Sequence, residues 1–247
     1  MSFKIAVSGK GGTGKTTIAG FIIGYLIRKG RAPVLAVDAD PNANLNEVLG
    51  VKYYQTIGGV REKLRTEVPS GMTKDVWFEM KAHEALVETE DFDLLVMGRP
   101  EGPGCYCVAN ALARHYIDVI TKNYQYVVID NEAGMEHFSR LTTQDVSLLF
   151  IISDPSIRGL QAARRILDLI KELNLSINRS AVLISKVQNG VDPALKEEAK
   201  RLNIEITGII PFDEEVFRSD LEGKPTYDLP ESSPSVRELG KILDNLL

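Results

Sequence analysis

The chain has 247 residues, of which 44% are hydrophobic and 26% charged, with a formal charge of -5; this excludes a disordered or fibrous chain and allows a sizeable core. The acidic balance argues against a broad nucleic-acid surface, whose affinity rests on neutralising many phosphates. Only two cysteines occur, Cys105 and Cys107, and residues this close in sequence cannot bridge without strain, so a reduced, cytoplasmic setting is expected over a disulfide framework. The start carries no apolar signal segment. The apolar runs Ile18 to Ile27 and Leu148 to Ile152 fall short of the ~20 residues that a membrane-spanning helix needs.

In chain order, strands are expected at Phe3 to Val7, Val34 to Val37, Leu94 to Met97, Tyr126 to Ile129, Leu148 to Ile152, Ala181 to Ile184 and Ile206 to Ile210, short runs rich in Val and Ile. Between them, Thr16 to Lys29, Val108 to Lys122, Ile157 to Leu173, Pro193 to Leu202 and Val236 to Leu246 carry apolar positions at helical spacing, with Gly30 placed to end the first. Tyr53 to Glu90 has no clear period; its glycines, Pro69 and mixed charges suggest short helices and a loop excursion. In the last helix Val236, Leu239, Ile242, Leu243 and Leu246 form a stripe, while Arg237 and Lys241 are balanced by Glu238 and Asp244. Such a stripe packs a core; a membrane-surface helix carries a cationic face. Alternating strands and helices predict one α/β domain over residues 1–247: a mostly parallel, twisted sheet of about seven or eight strands with helices on both faces.

Directly after the first strand stands Gly9-Lys10-Gly11-Gly12-Thr13-Gly14-Lys15-Thr16-Thr17, a G-x-x-x-x-G-K-[ST] phosphate loop between strand and helix. Its glycines let amide N–H groups converge on a phosphate. Lys15 neutralises β/γ charge and the Thr16 hydroxyl is a Mg²⁺ ligand. Lys10 makes the loop resemble the deviant Walker A motif of the family that includes the nitrogenase iron protein, partition and septum-site ATPases, and tail-anchored-protein targeting ATPases. That resemblance implies a homodimer in which Lys10 reaches the partner's nucleotide. It also implies that Val37-Asp38-Ala39-Asp40-Pro41 is a first switch, with Asp40 orienting the attacking water and Asp38 near Mg²⁺. Tyr126 to Asp130 resembles a Walker B strand whose Asp130 faces the metal through water. Asn131-Glu132-Ala133-Gly134 resembles the second switch, which includes Glu132 and in which Gly134 supplies backbone freedom and an N–H near the γ-phosphate. Nucleotide binding is therefore expected at Gly11, Gly12, Thr13, Gly14, Lys15, Thr16 and Thr17, with a base pocket at Ser185, Lys186, Pro211, Phe212 and Asp213. Ser185 stands where the family carries asparagine, which leaves base selectivity open.

Two thiolates at i and i+2 can face one ion, yet a closed tetrahedral or square-planar site takes four ligands. Two chains giving two each across a two-fold axis would complete it. The run Gly104-Cys105-Tyr106-Cys107 together with Asp130-Asn131-Glu132-Ala133-Gly134-Met135-Glu136-His137 resembles carbon monoxide dehydrogenase accessory ATPases of the CooC type. The resemblance implies ATP/ADP, Mg²⁺ and Ni²⁺ or Zn²⁺ at an intersubunit Cys-x-Cys site. Its implied client is carbon monoxide dehydrogenase or acetyl-CoA synthase, with neither nucleic acid nor membrane as a partner. The alternatives are an iron–sulfur-bridged reductase like the nitrogenase iron protein, or a positioning ATPase. Glu132, Glu136 and His137 read as helix-start electrostatics; Trp77 and Phe78 read as packing.

Overall fold

The computed structural model describes residues 2–64, 66–99, 107–131 and 146–247, with the backbone alone for 107–109. Eight strands form one sheet: β1 (Phe3–Gly9), β2 (Val34–Ala39), β3 (Val87–Glu88), β4 (Phe92–Val96), β5 (Tyr126–Asn131), β6 (Leu148–Ser153), β7 (Ser180–Val187) and β8 (Ile206–Pro211). Their order is β3-β4-β2-β5-β1-β6-β7-β8. Every pairing is parallel except that of β3, a two-residue edge strand antiparallel to β4. All seven strands expected from sequence are present, and β3 is additional.

The helices are α1 (Lys15–Arg28), α2 (Leu45–Leu49), α3 (Ile57–Lys63), α4 (Lys74–Glu84), α5 (Cys107–Ile120), α6 (Ile157–Glu172), α7 (Pro193–Arg201), α8 (Glu214–Leu221) and α9 (Pro234–Leu246). The strands read as unbroken apolar runs because both faces are covered. In β1, Ile5 and Val7 join the core beneath α1, α2 and α9, while Ala6 joins the core beneath α3 to α7. Strand β6 repeats this alternation: Leu148, Phe150 and Ile152 face one way, Leu149 and Ile151 the other. The stripe of α9 packs as expected, with Val236, Leu239 and Leu243 buried. The irregular stretch after Tyr53 contains α3 and α4, and Trp77 and Phe78 are buried beneath α4.

Chain direction determines where the site falls. From β1 the chain steps outward through β2 and β4 on one side and through β6, β7 and β8 on the other. The carboxyl end of β1 lies where this order reverses, and open α/β sheets bind ligands at such a point. Among the described residues no helix is long and apolar enough to cross a membrane.

Candidate functional site: a phosphate loop and two buried carboxylates

The loop after β1 turns through Gly12 (φ 81°) and Gly14 (φ 86°), left-handed conformations that glycine adopts without steric penalty. Gly14 is also the residue before α1, so the free N–H groups of that helix face the loop's concavity. Thr13 is fully buried and its hydroxyl donates to the Lys10 carbonyl at 2.8 Å. Lys15 is 8% exposed; its Nζ lies 3.5 Å from the same carbonyl, a long contact that leaves the ammonium available to a phosphate.

Strands β2 and β5 pair so that Asp38 stands beside Asp130. Both carboxylates are buried. Asp38 shapes the loop behind it, its Oδ1 accepting from the Asp40 N–H at 3.1 Å and its Oδ2 from the Leu45 N–H at 2.9 Å. Burial pushes the Asp38 pKa up to about 6, against those two hydrogen bonds. Asp130 is pushed further, to about 7, chiefly by burial and then by the Asp38 charge, while a hydrogen bond with Thr16 and the Lys15 charge oppose the rise. Its Oδ1 has no hydrogen-bond partner among the described residues. An orphaned carboxylate oxygen, a second buried carboxylate and a threonine hydroxyl form an all-oxygen set of the kind Mg²⁺ takes. Thr16, Asp38 and Asp130 therefore fit the ion, which would also relieve the desolvated charge. Asp40 lies outward of this pair, its Oδ1 accepting from the Asn42 N–H at 2.8 Å, and lines a cleft of about 1140 Å³ together with Gly11, Gly12, Lys15 and Thr16.

On the far side of the loop a second cavity, about 310 Å³, lies between Thr17, Ile18 and Phe21 of α1 and the 210–217 segment. Pro211, Phe212 and Asp213 line it, as do Ser185 and Lys186. Two of the polar groups are already engaged within the protein. Asp213 caps α8, accepting from the Glu215 N–H at 3.0 Å, and takes three further bonds from Ser233 and Ser235 at 2.6 to 3.0 Å. Burial raises its pKa, but those hydrogen bonds outweigh it and hold the carboxyl below the usual range. Ser185 is buried, and its hydroxyl donates to the Thr13 carbonyl at 2.7 Å.

Lys10 is half exposed, with Nζ 4.0 Å from Asp154 just beyond β6. Asp154 was not anticipated, although a carboxylate after a central strand is the same signal that marks Asp40. Cys105, Glu132 and Gly134 lie outside the described residues, and so do Glu136 and His137. Cys107 opens α5. Among the described residues no group of three or more His, Cys, Asp or Glu side chains is placed to hold a metal ion.

Residues 4–226 match the CobQ/CobB/MinD/ParA nucleotide binding domain. An uncharacterised ATP-binding protein of Methanocaldococcus jannaschii is 44% identical over 248 residues, spanning 98% of either chain. The carbon monoxide dehydrogenase accessory protein CooC of Rhodospirillum rubrum is 34% identical over 255 residues, covering 97% of this chain and 94% of its own. Among solved structures, a ParA family ATPase from Chlorobium tepidum superposes with a TM-score of 0.75 at 21% identity, covering 98% of each chain.

Proposed function

This chain belongs to the CobQ/CobB/MinD/ParA nucleotide-binding domain family and is a P-loop ATPase, and we propose that it couples ATP hydrolysis to handling a divalent metal ion, Ni²⁺ or Zn²⁺, for a nickel-dependent iron–sulfur enzyme. The observation that carries this reading is the Cys105-Tyr106-Cys107 pair in a chain 34% identical, over nearly its whole length, to a carbon monoxide dehydrogenase accessory protein. Carbon monoxide dehydrogenase or acetyl-CoA synthase is the proposed client. The metal is cargo, held by four thiolates, two from each protomer of a homodimer.

At the nucleotide, Lys15 and the loop amides of Gly11 to Thr16 bind the β- and γ-phosphates and stabilise the charge that develops as water attacks in line. Asp40, at the edge of the same cleft, holds and orients that water. Thr16, Asp38 and Asp130 hold Mg²⁺, which when bound neutralises phosphate charge. Lys10, on the open side of the loop, reaches across to the partner's nucleotide. Closing the two phosphate loops on ATP changes the spacing of the thiolate pairs, and linkage requires metal to shift nucleotide-dependent dimerisation in return.

Anaerobic Ni²⁺ titration with gel filtration and elemental analysis tests this reading. One Ni²⁺ per two chains, lost in the Cys105→Ser, Cys107→Ser double variant while ATP turnover persists, is expected. Undiminished Ni²⁺ binding by the double variant would sink it, as would iron- and sulfide-dependent charge-transfer absorption bleached by dithionite in the protein as purified.

A further inference from the structure

A phosphate loop can point its N–H groups at a ligand only if its carbonyls point outward, where donors from the surrounding protein can hold them in place. In this protein two of those donors come from neighbouring residues of β7. The Ser185 hydroxyl donates to the Thr13 carbonyl at 2.7 Å, with the Ser153 carbonyl at 3.2 Å as a second acceptor for the same proton. The Lys186 Nζ donates to the Gly12 carbonyl at 2.9 Å. Successive side chains of a regular strand point to opposite faces, so one loop cannot ordinarily receive both. Here the β7–β8 register shifts between Ile184 and Val187, and Lys186 adopts φ 58°, a left-handed conformation that is uncommon outside glycine. The irregularity turns both side chains onto consecutive carbonyls of the loop.

The geometry points to Ser185 and Lys186 as a clamp that presets the phosphate loop, acting on polyphosphate affinity and not on the choice of base. They are positioning residues, acting through the backbone of Gly12 and Thr13. The hydroxyl has one proton, and that proton is shared between two protein carbonyls, so Ser185 offers no donor to a base edge. This inference rests on the ATPase and is independent of the metal proposed at Cys105 and Cys107.

The test is equilibrium binding of ATP, GTP and inorganic tripolyphosphate, with Mg²⁺, to the full chain and to Ser185→Ala and Lys186→Met. Tripolyphosphate has no base, so it separates the two roles. Each variant is expected to lose affinity for all three ligands by about tenfold, the effect of one removed hydrogen bond at a charged site, with the ratio of ATP to GTP affinity unchanged. Ser185→Thr, which keeps the hydroxyl, restores binding. Lys52→Met, at another lysine lining the cleft, sets the loss due to charge alone, which Lys186→Met must exceed. Unchanged tripolyphosphate affinity in Ser185→Ala overturns the clamp, whichever way the base ratio moves. If Ser185→Ala does not fold, Lys186→Met, altered at an exposed side chain, decides by the same criterion.

Discussion

Asp130 concentrates the conflict between stability and function. It lies in the centre of the sheet beside β1 and β2, its Oδ1 has no partner among the described residues, and its pKa is raised from 3.8 to about 7, mainly by burial. The sign of the consequence follows from proton linkage. The folded state binds this proton more tightly than the unfolded chain does, so the penalty is absent below about pH 4, grows through the interval, and is complete above about pH 7. Asparagine cannot ionise and its carbonyl can still accept from Thr16. Asp130→Asn is therefore expected to raise the melting temperature of the nucleotide-free protein at pH 8, by about 2–4 °C for each kcal/mol relieved, with the gain fading at pH 4 to 5. The same variant is expected to lose Mg²⁺-dependent ATP turnover. Calorimetry at the two pH values checks the first half; a melting temperature lowered at pH 8, or a gain equal at both, would contradict it.

Among the elements, α4 carries the clearest division between packing and chemistry. Trp77 and Phe78 are 2% and 1% exposed in the core beneath α3, α4 and α5 and lie far in sequence from every phosphate-loop contact. Trp77→Ala is expected to cost about 3–5 kcal/mol of stability, seen as a lower denaturation midpoint, while ATP turnover per folded molecule at low temperature stays at the parental level. A turnover loss beyond the unfolded fraction would assign α4 a part in the site. The helix illustrates why some of the fold was legible and some was not. Strands β1, β2, β5 and β6 and helices α1 and α9 bury a continuous run or a clear stripe, which the order of residues displays directly. Helix α4 buries only Trp77, Phe78 and Ala82, too few for a period to emerge. Helix α8 buries no residue at all; it is started by Asp213, whose carboxylate is fixed by Ser233 and Ser235 at the start of α9. The site divides the same way. The phosphate loop follows from its spacing after a strand, and Asp38 and Asp130 from the resemblance of the runs at two strand ends to family motifs. The direction of the Ser185 hydroxyl depends on a strand irregularity, and the approach of Lys10 to Asp154 joins two loops about 140 residues apart; neither has a local signature.

At the scale of the whole molecule, the question is whether one chain holds a complete catalytic site. The Lys10 side chain is half exposed, with its ammonium 4.0 Å from Asp154. Asp154 is itself held by the Ser156 hydroxyl at the start of α6. A pair this exposed is worth little, on the order of 0–1 kcal/mol, so in the proposed dimer a nucleoside triphosphate on the second protomer would outcompete Asp154 for Lys10. Lys10 acting across the dimer and Asp40 acting within the chain make a prediction that a single-chain site does not. Lys10→Ala and Asp40→Ala are each expected to abolish turnover alone. In a mixed dimer, the Lys10→Ala protomer retains its own Asp40 and receives Lys10 from the Asp40→Ala protomer, completing one of the two sites. Random exchange of equal amounts makes about half of the dimers mixed, so turnover is expected to recover to about a quarter of the parental value per chain. A steady-state phosphate-release assay on the mixture reads this directly. If the mixture stays as inactive as its components after subunit exchange is verified, Lys10 serves its own chain's nucleotide. The pairing with Asp154 would then be a contact within the working site, not a resting position outside it.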